Sequence, residues 1–372
     1  METNITINNK KYYRITATIG KDSDGKAIRK QFYGNNRREA ELKKKVFVLN
    51  NKMGRGNIRL SSAFTDWYQF VLSPSISCST KIRYEQEYRL RLKKSKIMDI
   101  NINEVRSIHI QGFYNELLQN MATVNSIKII HSMLSGFFKF CHKTDVITKN
   151  PLKAVQLPKI VPVKDKKPKL TEKDMRKLIK HSKNNMDTFI FVFAMFTGLR
   201  QGELVALTYK DLESEMMTVS KTVGYLPFEG KYKYVVSSAK TKKSVRQVPL
   251  LKKLIPLLAK HIKAERDKHA KLAVPFTGDS PVFSSANCGY MNGRNLRRKL
   301  SATYKKLNIE PTTFHGLRHT FCSMLSKNGV NLKTASELMG HSNINTTLRI
   351  YTHIQEDEKI QGISTLAKLF PK

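Results

Sequence analysis

The chain has 372 residues, with 67 Lys and Arg against 29 Asp and Glu and a formal charge of +38. Hydrophobic residues at 40% and aromatics at 9% place that basicity on folded domains and exclude a disordered polycation, and the length holds two or three domains at ~100–200 residues each. Such a surplus calls for a polyanionic partner; the longest apolar run, residues 188–199, is too short for the ~20 residues of a bilayer span, so nucleic acid is expected and a membrane is not.

In chain order, residues 1–60 contain two alternating runs, 11–19 and 27–33, joined by a polar turn with Asp24-Gly25, which predict a β-hairpin. A basic helix is expected over 37–49, then a loop at 51–56. With 15 Lys and Arg against 5 acids, this small unit suits docking on duplex DNA. From Ser61 the period becomes helical: Phe64, Trp67, Tyr68 and Val71 recur at i, i+3, i+4 and i+7, behind Ser61 or Ser62 as N-cap. Helices over 79–92, 107–118 and 124–141 complete a four-helix unit whose aromatic stripe reads as core rather than as a base-stacking platform. Asn150-Pro151 and Leu157-Pro158 interrupt regular structure. Residues 164–183 carry nine Lys and Arg against three acids, a basic tether suited to crossing a phosphate backbone. Thr171 with Asp174 then forms a capping box. Beyond it, helices are expected over 172–182, 187–196 and 201–208, a three-stranded meander over 215–250, and helices over 251–269, 292–306, 316–327, 332–338 and 343–352. The fold class is multidomain and mainly α with small β elements, divided at 1–60, 61–160 and 165–372.

Cys78, Cys141, Cys288 and Cys322 are scattered with no C-x-x-C pair, which predicts reduced, mostly buried thiols and no zinc site. The first residues carry no apolar signal region, so a cytoplasmic location is expected. No phosphate-cradling glycine loop occurs, and no nucleotide cofactor is expected.

Four clusters carry the chemistry. In Thr197-Gly-Leu-Arg-Gln-Gly-Glu-Leu204 an apolar helix ends and another begins around Arg200, so the turn can hold a guanidinium at the edge of a packed core. In Phe314-His-Gly-Leu-Arg-His-Thr320, His315 and Arg318 are three apart and share a helix face, where they can converge on one anion; His319 is expected to turn elsewhere. Leu338-Met-Gly-His341 reads as a short helix ended by Gly340. Tyr351 lies ten residues beyond His341, roughly 15 Å away if both were on one helix, so it is expected on a bend or short loop.

TGLRQGEL, FHGLRHTF and LMGHSNINTTLRIYTH, in this order, resemble the tyrosine recombinases, specifically the phage and conjugative-transposon integrases, and the resemblance covers the whole chain. It implies an arm-type DNA-binding domain of sheet and helix at 1–60, an α-helical core-binding domain at 61–160, and an α+β catalytic domain from 165. Tyr351 matches the nucleophile that forms a 3′-phosphotyrosyl link and frees a 5′-hydroxyl. Arg200 and Arg318 match the pair that grips the non-bridging oxygens, and His315 and His341 the two histidines that assist proton transfer. Some relatives carry Trp where this chain has His341. The lysine that protonates the leaving 5′-oxygen best matches Lys240, with Lys242 and Lys243 in the same turn.

These residue types suit the chemistry on physical grounds. Charge builds on the equatorial oxygens of a phosphodiester under attack, and two planar, always-charged guanidiniums can meet it without a metal, at ~3–4 kcal/mol per donor. Tyrosine, with a pKa of ~10, needs a base and nearby cations, and histidine titrating near ~6.5 suits that role. A covalent link conserves the energy of the broken bond, so no ATP is required. The expected partners are duplex attachment sites of core and arm type and further copies of this chain, because exchange between two duplexes calls for a tetramer; an excisionase and a host DNA-bending protein are candidate accessory partners. Ile360, Ile363, Leu366, Leu369 and Phe370 give the C-terminal segment an apolar helical face, for docking on a neighbouring protomer or on its own domain. The rival readings are a type IB topoisomerase, which would relax supercoils without exchanging strands, and a non-catalytic nucleic-acid-binding protein.

Overall fold

The computed structural model describes residues 5–7, 10–21, 24–37, 39–41, 43–44, 47–48, 58–159, 169–228, 231–238, 245–341 and 343–351. The loop at 51–56, the tether residues 164–168, Lys240 with Lys242 and Lys243, and the apolar face of the C-terminal segment lie outside them. The chain divides into two compact units, Met1–Val163 and Lys164–Lys372.

In the first unit, β1 (Ile5–Ile7), β2 (Lys10–Lys21) and β3 (Ala27–Gly34) form an antiparallel sheet in that order, with Ala17 opposite Lys30. The β2–β3 hairpin is the expected one; β1 was not foreseen, because three residues are too few to register as alternation. Described residues between 37 and 48 are helical. The helical part consists of α1 (Leu60–Trp67), α2 (Cys78–Glu87), α3 (Ser107–Gln119) and α4 (Val124–Lys143), and α1 and α2 each run on into a π-helical turn. The aromatic stripe is core: Phe64, Trp67, Tyr114, Phe137 and Phe138 are buried together, and the rings of Trp67 and Phe137 meet edge-on with centroids 5.5 Å apart. Neither Ser61 nor Ser62 caps α1. The cap is Arg59, because the chain enters the helix through a bond from Leu60 N to Ile100 O (2.8 Å) that buries Leu60 completely.

The second unit begins with α5 (Glu172–Asn184), capped by Thr171, which accepts from the Asp174 N–H and donates to the Asp174 carboxylate. Next come α6 (Phe189–Thr197) and α7 (Gln201–Ala206). Every residue of α6 but Phe196 is buried, as expected of a helix apolar all round, and it forms the centre of the core with Phe283 and Phe314. The meander expected over 215–250 is instead two sheets. Strands β4 (Leu212–Glu213), β5 (Met216–Val219) and β8 (Arg246–Pro249) make one, while β6 (Lys221–Phe228) and β7 (Lys231–Ser238) pair only with each other. The long β6–β7 hairpin is an excursion between two strands that pair across it, Met217 opposite Val248 and Val219 opposite Arg246. Local alternation cannot distinguish such an excursion from the middle of a meander. Five helices follow: α8 (Ile255–Lys271), α9 (Gly293–Leu307), α10 (Phe314–Lys327), α11 (Leu332–Met339) and α12 (Asn345–Tyr351). No helix among the described residues is long and apolar enough to cross a membrane.

Candidate active site

The site is built on the end of α11. A helix leaves its last carbonyls without intrahelical partners and carries partial negative charge there. Here three successive carbonyls each receive a different guanidinium. Leu338 O accepts from Arg246 Nε at 2.9 Å, Met339 O from Arg318 Nη2, and Gly340 O from Arg200 Nη2 at 2.9 Å. Gly340 ends the helix in the left-handed region, at φ 61° and ψ 46°, and turns the chain so that the next residue is His341. A side chain at Gly340 would also collide with Arg246, because its Cβ would lie 2.7 Å from Nη1.

Each arginine arrives from a different element. Arg200 caps α7 after Gly198 ends α6 at φ 63°, where a Cβ would run into the Phe321 ring. Its side chain is 42% exposed, and its Nη1 pairs with Glu203 at 2.7 Å. Arg318, on α10, is 1% exposed and also donates from Nη1 to Gly198 O at 2.6 Å, while its buried Nε has no partner among the described residues. Arg246 projects inward from β8 beside Val248, as strand alternation requires, and holds the Glu203 carboxylate through Nη2 (2.8 Å) and Nη1 (3.3 Å). Glu203 in turn accepts the Arg200 backbone N–H at 3.0 Å.

The charges are unequal, since Glu203 alone is the carboxylate in these bonds. Burial opposes ionisation of Glu203, but the bonds from Arg246 and then Arg200 outweigh it and hold the group down at about 2. Burial and then the Arg200 charge push Arg318 down to about 9, which still leaves it protonated at neutral pH. His341 is pushed down to about 4, by burial first and then by Arg318, Arg200, His315 and Arg246. It is therefore a neutral imidazole at neutral pH, and its Nδ1 shares a 2.8 Å hydrogen bond with the buried Thr347 hydroxyl on α12.

Arg200, Arg318 and His341 thus come together, as their sequence clusters suggest. His315 lies exposed near the start of α10, with its ring against that of His319 at a centroid distance of 4.5 Å. His319 does not turn elsewhere as expected, because a residue four positions on shares the same helix face. Tyr351 is placed differently from the expectation of a bend. It lies in α12, 9% exposed, in a cluster with Phe321, Cys322, Ala335 and Met339, and its hydroxyl donates to Val330 O at 3.1 Å. Burial, and then Cys322, raise its pKa above the usual phenol value. Glu203, Arg246 and Thr347 were missed in the sequence. Glu203 could have been found as the acidic residue three after an N-cap, and Arg246 as a charge on the inward side of an alternating strand. Among the described residues no group of three or more His, Cys, Asp or Glu could hold a metal ion.

The model of the phage integrase family matches residues 168–358. A tyrosine recombinase XerC-like protein of Caldanaerobacter subterraneus subsp. tengcongensis is 32% identical, with 99% of each chain covered. The ICEBs1 integrase of Bacillus subtilis is 25% identical over 93% of this chain and 94% of its own. Among solved structures, the Tn1549 transposon integrase in complex with a circular intermediate DNA superposes with a TM-score of 0.70 at 24% identity, covering 83% of this chain and all of that one. A lambda integrase tetramer bound to a Holliday junction gives 0.57 at 18% identity, covering 95% and 96% of the two chains.

Proposed function

Because the chain belongs to the phage integrase family of tyrosine recombinases, we propose that it is a site-specific integrase that inserts and excises a mobile element through a covalent bond between Tyr351 and a DNA 3′-phosphate. The observation that carries this reading is the excess of positive charge at the end of α11, where, among the described residues, three guanidiniums meet one carboxylate and the buried Arg318 Nε lacks a partner. A phosphodiester is the anion that such a deficit fits, and it would raise His341 from its depressed value towards the range of a working base.

In the proposed reaction Arg200 and Arg318 hold the two non-bridging oxygens and stabilise the charge that grows on them. The Tyr351 oxygen forms a bond to phosphorus as the bond to the 5′-oxygen breaks; the phenolic proton passes to a histidine base, and Lys240 gives a proton to the departing 5′-oxygen. His315 and His341 orient the phosphate and assist these transfers. Before attack the Tyr351 hydroxyl must leave the Val330 carbonyl, which removes one hydrogen bond worth about 0.5–1.5 kcal/mol. Religation reverses the steps with a new 5′-hydroxyl, so the cycle requires no ATP. We further assign residues 1–60 to arm sites, 61–160 to core sites, and four copies of the chain to one exchange complex; the lambda integrase tetramer on a Holliday junction supports the last assignment. Such an enzyme acts in the cytoplasm, on the nucleoid, where an excisionase and a host DNA-bending protein would set direction.

The test is a nicked duplex that carries the core attachment site, incubated with the protein and resolved under denaturing conditions. A protein–DNA adduct is expected from the natural chain and none from Tyr351→Phe, which should still bind the duplex. An adduct that persists in Y351F would remove Tyr351 from the nucleophile role.

A further inference from the structure

We propose that Arg246 is a positioning residue for DNA cleavage, which joins Glu203 to the end of α11 and so fixes both the aim of Arg200 and the place of His341. The inference rests on the recombinase reading above. Its side chain is only 6% exposed, and each of its three nitrogens donates to a protein acceptor. Its three described bonds connect two parts of the site that are far apart in the chain. Nη1 and Nη2 hold both oxygens of Glu203, 43 residues earlier, and Nε holds the Leu338 carbonyl, 92 residues later.

Glu203 uses the same two oxygens to hold the Arg200 side chain and backbone N–H, so the carboxylate that Arg246 orients is the one that orients Arg200. At the other end, Leu338 O is the first of the three carbonyls that lead into Gly340 and His341, and the Arg246 guanidinium occupies the space a Cβ at Gly340 would need. A planar fork spreads its donors over three nitrogens and serves both ends at once, whereas a lysine carries its three donors on a single nitrogen and cannot reproduce the fork. A buried ion pair is weak evidence for stability, since apolar replacements are often as stable, so the retained charge points to a role in geometry. Arg246 also lies six residues after Lys240 and anchors the strand onto which that segment leads.

The experiment measures adduct formation at saturating protein, and duplex affinity separately, for the natural chain, Arg246→Gln, Arg246→Lys, Glu203→Gln and the double variant. Misplacement by about an ångström costs ~100-fold in rate, so R246Q is expected to cleave ~100-fold more slowly with affinity within about threefold of the natural chain. R246K is expected to recover only part of that loss. Because the two residues act as a unit, R246Q with E203Q is expected to be little slower than either alone. A near-natural rate in R246Q or R246K, a loss of affinity that matches the loss of rate, or strict additivity in the double variant would each overturn the proposal. Should R246Q not fold, R246K decides: slower cleavage at unchanged affinity supports positioning, and an unchanged rate refutes it. No adduct from the natural chain would instead sink the recombinase reading, which separates the two failures.

Discussion

At the residue scale, the site depends on a carboxylate that never touches DNA in the proposed chemistry. Glu203 is held at about 2 against an ordinary value of 4.5, despite a burial that works the other way. A depressed folded-state value stabilises the fold fully above 4.5, and the contribution disappears as pH falls through about 2. Glu203→Gln, which leaves Arg200 and Arg246 without their shared anion, is therefore expected to cost about 3–5 kcal/mol at pH 7. Denaturation curves at a series of pH values should show the gap from the natural chain closing between about pH 4.5 and 2; a gap constant with pH would mean that the charge of Glu203 is not what holds the site. Arg200, Arg318 and His341 were legible in the sequence because each sits in a short pattern with a glycine signal. The bond from Arg246 to Glu203 was not, since its partners are 43 residues apart and only the fold brings them together.

At the element scale, the decisive feature is the end of α11, where one left-handed glycine lets three carbonyls face three guanidiniums. Gly340→Ala combines two penalties: a positive φ, at roughly 1–2 kcal/mol for a residue with a Cβ, and the collision with Arg246. Gly329, at φ 71°, has no described atom within 4 Å of its would-be Cβ, so Gly329→Ala carries the first penalty alone. G340A is expected to be the more destabilised of the two in urea and to lose cleavage, while G329A keeps it; equal effects would show that Arg246 yields without consequence. Helices were legible from their period, and Thr171 and Gly340 from their capping chemistry. Two things were not. Among the described residues the β6–β7 excursion pairs only with itself, so nothing local marks it as separate from β5 and β8. Tyr351 lies in a helix rather than on a bend, because the ring finds a buried place among Phe321, Cys322, Ala335 and Met339 that sequence spacing cannot show.

At the scale of the whole molecule, the +38 charge points to a polyanion independently of any motif, and 15 of the 67 Lys and Arg lie in the first 60 residues. Charge alone could not separate a recombinase from a binding protein or a topoisomerase. That distinction rests on a few side chains at the end of one helix and on membership of the phage integrase family. Recombination also demands more than cleavage, because strands must be exchanged between two sites. The most direct test places the two attachment sites of the element on one supercoiled plasmid, with the purified protein and no nucleotide. Molecules rejoined at the two sites are expected, and none with Tyr351→Phe. Relaxation of the plasmid without exchange between the sites, or binding without any strand joining, would contradict the recombinase reading.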